Sequence, residues 1–183
     1  MARPKDDAYY LSLGAGENQL PLIRAAKALG LKVIGVDRSI AAPVLRESDL
    51  KIEESILNYR KIYYKLLNLV EPTQIAGGYA ASYGDALQSF AFLCERLSII
   101  GLNRTLMETV QDKFQVRRQL SEIEHGSFAQ PIFLEITQSM RREDIEQLGF
   151  PLIAKQRRGS SKRNIYKLDD WNEVKHFLSR KNL

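Results

Sequence analysis

The sequence predicts an α/β protein: an open parallel sheet with helices on both faces over residues 1–103, followed by a small, incomplete α+β unit over residues 104–183. Three observations carry that expectation. Short apolar runs alternate with stretches of helical period through the first hundred residues or so. Glycines stand at turns between these elements, at Gly14, Gly30, Gly77-Gly78 and Gly101. After Gly101 the alternation gives way to paired helical stretches and a hairpin pattern.

Tyr9 to Leu13 is a short apolar run ending at Gly14, and Gln19 to Leu29 places Leu22, Ala25, Ala26 and Leu29 on one helical face closed by Gly30. Lys32 to Val36 is a second strand, with Asp37 at its carboxyl end. Strand, glycine turn, helix and strand in this order make a right-handed βαβ unit. Asp49 to Ile52 then reads as a brief strand, Asn58 to Val70 as an amphipathic helix, and Gln74 to Gly77 as a strand ending in Gly77-Gly78. Gly84 to Leu97 is a further helix and Ile99-Ile100 a short fifth strand. In the second unit, Arg104 to Val110 and Lys113 to Ser121 read as helices. A strand follows near Phe128 to Ile136, a helix near Arg141 to Leu148, and a hairpin from Pro151–Lys155 and Asn164–Leu168. Asp170, with Glu173 three residues on, caps a last helix whose apolar face is Trp171, Val174 and Phe177 or Leu178. So few strands and helices cover one another poorly, which makes this unit incomplete.

The 44% hydrophobic content is ordinary for a soluble globular chain. No apolar run approaches the ~20 residues that span a bilayer, and Met1 to Asp7 is charged where a signal peptide is apolar. A cytoplasmic protein without a membrane partner is expected. The single cysteine, Cys94, continues the helical face Leu87, Phe90 and Leu97, and reads as core. The net charge of +5 is concentrated around Arg157 to Arg163, without the interleaved aromatics that stack single-stranded bases. A polyphosphate ligand explains this better than nucleic acid.

Phe150-Pro151-Leu152-Ile153-Ala154-Lys155 reads as a buried strand delivering a lysine to the mouth of a basic loop, Gln156 to Arg163. Gly159, Ser160 and Ser161 allow backbone amides to turn toward an anion, and Lys155, Arg157, Arg158, Lys162 and Arg163 surround it with charge. The alternative is an edge hairpin kept soluble by its cations. A lysine whose stem must cross apolar surface favours the ligand. No carboxylate of the chain is expected to neutralise these five cations enough to offset the entropy of ordering the loop, so Gln156 to Arg163 is expected to be mobile. Gly14-Ala15-Gly16-Glu17-Asn18-Gln19, with Asp37 at ribose-acid spacing, is close to a dinucleotide fingerprint, but Gln19 takes the place of its third glycine and Pro21 begins the helix. An anion- or substrate-contacting turn built from Gly14, Gly16, Glu17, Asn18 and Asp37 is the favoured reading; NAD binding and a structural turn stay open. Asp112-Lys113, between two helices, is either solvated charge or a lysine reaching the same phosphate chain from another side.

Taken together, these residues resemble the amino-terminal part of ATP-grasp enzymes, the superfamily of biotin carboxylase, the large subunit of carbamoyl phosphate synthetase and the carboxylate–amine ligases of purine synthesis. The resemblance covers nearly the whole chain. Gly14-Ala15-Gly16 with Leu29-Gly30-Leu31-Lys32-Val33-Ile34-Gly35-Val36-Asp37 looks like the opening of the Rossmann-like pre-ATP-grasp domain, and Ala42-Pro43 followed by Ser48-Asp49 looks like its next loop. Gly101, Asp112-Lys113 and the Phe150–Lys155 strand follow in family order. The resemblance implies that Lys113 and Lys155 contact ATP phosphates, and that Gly159, Ser160, Ser161 and Lys162 belong to the loop closing over them. That loop has one glycine where relatives often have several, and Asn164 stands where a glycine is common.

The resemblance further implies ATP and Mg²⁺ as cofactors, with small-molecule carboxylate (or bicarbonate) and amine substrates, and it is consistent with a homodimer. The acidic and amide residues that hold Mg²⁺ in the family have no counterpart before Leu183, so no metal site is assigned here, and catalytic residues are unassigned. The expectation is the amino-terminal part of an ATP-dependent carbon–nitrogen ligase acting through an acyl phosphate. As a fragment or natural truncation it is expected to be inactive alone. A stand-alone nucleotide- or anion-binding module is the alternative.

Overall fold

In the computed structural model, which describes residues 7–123, 129–137, 140–159 and 164–180, four of the apolar runs form one parallel sheet. They are β1 (Tyr9–Leu13), β2 (Lys32–Asp37), β3 (Leu50–Glu53) and β4 (Ile75–Tyr79), in the order β3-β2-β1-β4. β1 pairs with β2 from Tyr9↔Lys32 to Leu13↔Val36. On its other side it pairs with β4, starting at Tyr9↔Ile75 and slipping by a residue before Tyr10↔Gly77. A Cβ on Gly78 would lie 2.5 Å from the Leu11 carbonyl oxygen, so this close approach of two backbones admits no side chain.

Strand periodicity sends alternate side chains to opposite faces, and each face is covered. Leu11, Leu13, Ile34, Val36 and Ile52 pack against Ile62 and Leu66 of α3 (Tyr59–Leu67) and Phe90, Leu93, Cys94 and Leu97 of α4 (Asp85–Leu97). On the opposite face, Tyr10 and Val33 meet Ile23 of α1 (Leu20–Ala28) and Val44 and Leu45 of α2 (Pro43–Glu47). This is the expected open α/β sheet. α2 lies where the sequence suggested only a loop: Pro43 opens it, a position in which the missing N–H costs nothing, and burial of Val44 and Leu45 holds it. The expected fifth strand does not form. The Ile99 amide turns back to the Cys94 carbonyl at 3.1 Å, closing α4, and Ile100 is 95% exposed with no ladder partner.

The chain divides into two compact units, Met1–Glu108 and Thr109–Leu183. Following α5 (Arg104–Val110), the second contains α6 (Lys113–Glu122), α7 (Arg142–Glu146), the antiparallel pair β5 (Leu152–Lys155) and β6 (Ile165–Leu168), and α8 (Trp171–Ser179). Its core is Ile145, Ala154, Leu168 and Val174, flanked by Trp171 and Phe177. As the sequence predicts, Asp170 caps α8, accepting from the amides of Asn172 and Glu173, while Glu173 reaches back to the Asp169 amide. The strand expected near Phe128 to Ile136 is not one: Phe128 lies outside the described residues, and 129–136 makes no ladder. Phe133 is held there by its ring, edge-on to Phe114 with centroids 5.7 Å apart.

Candidate functional site

β5 is half-buried rather than buried. Ala154 faces the core, whereas Ile153 is 59% exposed, and Lys155 stands on the same open face, opposite Ile165 of β6. Lys155 is thus exposed on an open face that also carries the exposed Ile153 and Ile165. The chain continues to Gly159, whose φ of +122° suits glycine alone among common residues, and returns at Asn164, which takes a left-handed φ of +53° that asparagine tolerates. Ser160, Ser161, Lys162 and Arg163 lie outside the described residues.

The first turn of α6 grips the start of this loop. Lys113 donates from its backbone amide to the Arg157 carbonyl (2.9 Å), and its Nζ donates to the Gly159 carbonyl (2.8 Å) and, more weakly, to that of Arg157 (3.4 Å). Asp112, only 4% exposed, is the cap of α6 and the anchor of Arg157 at once. Its Oδ1 accepts from the amides of Phe114 (3.1 Å) and Gln115 (3.2 Å), and its two oxygens accept from Arg157 Nε (3.1 Å each) and Nη2 (2.5 Å). The Arg157 guanidinium also pairs with Glu135 and lies 5.3 Å from the centre of the Phe114 ring. The guanidinium beside Asp112 holds its carboxyl below the usual aspartate range, against the opposing effect of burial and with the two capping amides helping. Asp112, and then Glu135, raise Arg157 in turn. The carboxylate partners that the sequence did not reveal are thus Asp112 and Glu135. An aspartate directly before a helical stretch is a capping signal, but its pairing with a residue in the loop after β5 leaves no sequence signal.

Chemically, this arrangement presents a lysine ammonium at a helix N-terminus, against a glycine turn that leaves the strand ending in Lys155. An ammonium has three protons to donate, so Lys113 retains capacity for an anionic oxygen beyond the loop carbonyls. The helix dipole favours the same sign of ligand.

In the first unit, Gly14 turns at a φ of +98° and donates to the Val36 carbonyl at 2.9 Å. Asp37 ties the turn down: its Oδ2 accepts from the Ala15 amide and its Oδ1 from the Ser39 amide, each at 3.0 Å. Gly16, Glu17 and Asn18 follow as an exposed turn at the carboxyl end of β1. Because β1 is flanked by β2 and β4, the crevice of this sheet opens between β1 and β4, where its connections diverge. Gln19 bridges it, its Nε2 donating to the Ala81 carbonyl at 3.3 Å. The same side chain fills the hollow of the glycine turn, 2.9 Å from where a Gly14 Cβ would be and 3.3 Å from one on Gly16. The residue in place of the third fingerprint glycine occupies the ground a pyrophosphate would need. Among the described residues no cluster of three or more histidine, cysteine, aspartate or glutamate side chains could hold a metal ion.

Solved structures share this architecture over almost the whole chain. N5-carboxyaminoimidazole synthetase from Staphylococcus aureus matches 97% of it at 18% identity with a TM-score of 0.72. The biotin carboxylase domain of Hydrogenobacter thermophilus 2-oxoglutarate carboxylase, solved with MgADP, ADP and bicarbonate, matches 92% at 19% identity and 0.70. Phosphoribosylglycinamide synthetase from Anaerococcus prevotii matches 93% at 22% identity and 0.66. The fold is that of the amino-terminal part of ATP-grasp enzymes. The chain spans less than half of each of these proteins: 45%, 39% and 41%, respectively. No family model matches the sequence, and no curated protein matches it.

Proposed function

We propose that this chain supplies the amino-terminal domain and first ATP-grasp segment, residues 1–103 and 104–183, of an ATP-dependent carbon–nitrogen ligase. The observation that carries the reading is Lys113 at the head of α6, bonded to Gly159 in the loop that Lys155 opens. In such a ligase the γ-phosphoryl of ATP passes to a carboxylate oxygen and ADP leaves. An amine nitrogen then attacks the acyl carbon, and inorganic phosphate departs with the C–O bond. Lys113 and Lys155 would hold phosphate oxygens, and Ser160, Ser161 and Lys162 would complete the loop. The exposed turn Gly16-Glu17-Asn18, near Gly14 and Asp37, would face the carboxylate substrate. Mg²⁺, which the reading also calls for, is assigned no ligand here.

Titration with ATP and ADP, with and without Mg²⁺, tests this. Lys113→Ala and Lys155→Ala are each expected to weaken nucleotide binding about tenfold, the effect of one charge-assisted phosphate contact. Nucleotide affinity unchanged in the double variant would sink the reading. Tight binding without Mg²⁺ that Gly16→Trp abolishes would instead identify a non-catalytic nucleotide-binding module.

A further inference from the structure

The first unit carries a second cationic hollow, on the helical surface away from the glycine turn. It is a cavity of about 330 Å³ lined by Arg60, Tyr63 and Tyr64 of α3, Phe92 and Arg96 of α4, and Arg104 at the head of α5. Helical spacing builds it. Arg60 stands one turn before Tyr63 and Tyr64 on α3, and Phe92 stands one turn before Arg96 on α4, so both helices present an aromatic and a guanidinium to the same groove. Phe92 forms its floor, 4.6 Å from the Tyr59 ring and 6.2 Å from that of Tyr63 between centroids, with the Arg96 guanidinium 5.6 Å above it. Arg104 shares its charge with Glu108 at 3.4 Å. Among the described residues, Arg60 and Arg96 form no ion pair, whereas Arg104 does. Three arginines line this one hollow, and their shared sign of charge favours an anion there. The planar forks suit phosphate oxygens, and the Tyr64 ring, tilted against that of Tyr63 with centroids 5.6 Å apart, is still 64% exposed and open to a flat ring.

We propose that this hollow binds a nucleoside monophosphate, the phosphate held by Arg60, Arg96 and Arg104 and the base laid against Tyr64. It is independent of Lys113 and Lys155, which lie in the other compact unit.

Calorimetric titration of the full chain with adenosine 5′-monophosphate, ribose 5-phosphate and inorganic phosphate, in the absence of Mg²⁺, tests the assignment. Adenosine monophosphate is expected to bind about tenfold more tightly than ribose 5-phosphate, the increment of one base stacked on an aromatic ring. Arg60→Ala and Arg96→Ala should each weaken it about tenfold or more. Tyr64→Phe should leave affinity unchanged, and Tyr64→Ala should erase the preference over ribose 5-phosphate. All of these side chains are on the surface, and unchanged circular dichroism establishes that the variants are folded. The Lys113→Ala, Lys155→Ala double variant must bind adenosine monophosphate as the parent does, so this result and that for the phosphate lysines separate the two sites. No measurable binding overturns the proposal, as does binding insensitive to the arginine changes. Equal affinity for adenosine and ribose phosphates overturns the base contact, and with it the ligand class.

Discussion

Replacing Asp112 should loosen the second unit in two separable steps. Asp112→Ala removes the cap of α6, about 1 kcal/mol for such a residue. It also removes the partner of Arg157, whose side chain is 42% exposed, so the ion pair contributes on the order of 1 kcal/mol rather than the several of a fully buried one. The alanine variant should therefore lose about 2 kcal/mol by these two estimates. Asp112→Asn keeps an oxygen for the Phe114 and Gln115 amides and gives up only the charge, so it should lose about half as much. Urea unfolding followed by the fluorescence of Trp171 reads this directly, because the chain has one tryptophan and it flanks the core of the second unit. The pH dependence supplies the sign. Asp112 is held below its unfolded value, so its contribution is present above about pH 4 and is lost as acid protonates it below that. The parent should lose part of its advantage over Asp112→Asn on acidification below pH 4. Equal losses in the alanine and asparagine variants would refute the capping role, and an unchanged stability in both would refute the whole account.

Three further outcomes follow from the first unit. Gly78→Ala should cost about 1–3 kcal/mol of thermal stability, because its Cβ meets the Leu11 backbone; Gly77→Ala, where a Cβ meets nothing within 4 Å, should be tolerated, and equal effects would contradict the packing argument. Burial pushes the Cys94 thiol up, so Ellman's reagent should react with it only as urea unfolds the sheet; prompt reaction in the native chain would contradict its placement in the core. Gln19→Ala should cost about 1 kcal/mol in urea unfolding through the lost bond to Ala81, while Gln19→Glu, which cannot donate to that carbonyl, should cost at least as much; a neutral glutamate variant would remove Gln19 from the crevice.

The first unit was legible because its signals are local. Apolar runs ending in glycine marked β1 and β4, a run ending in Asp37 marked β2, and the helical period of α4 pointed its buried face correctly; on α1 only Ala26 of the expected Leu22, Ala25, Ala26 and Leu29 is buried, because Ile23 faces the sheet instead. The Asp170–Glu173 signature likewise located the start of α8. Where backbone needs were met by something nonlocal, the sequence misled. Ile99-Ile100 has strand-forming residues, but its amide was already spent closing α4. Between residues 129 and 136 apolar side chains serve packing rather than a ladder, Phe133 against Phe114 and Ile136 against the core of the second unit. The lysines and the glycine turn of the candidate site were picked out by type and order. The Asp112–Arg157 clasp and the Gln19 bridge were not, since each joins segments far apart in sequence through side chains with no periodicity.

The sheet order has a consequence for how the chain is made. β1 is synthesised first yet lies inside the sheet, with Lys32 as the partner of Tyr9 on one side and Ile75 on the other. Its first edge can close as soon as β2 has left the ribosome. The second stays open while α2, β3 and α3 are produced, leaving the amides and carbonyls of Tyr9 to Ser12 as an unpaired parallel edge next to a growing apolar face. Only when Gly77 and Gly78 emerge, small enough to slide against Leu11, is that edge sealed. The glycine pair therefore decides both the spacing of the finished sheet and when the nascent chain ceases to offer a strand to its neighbours.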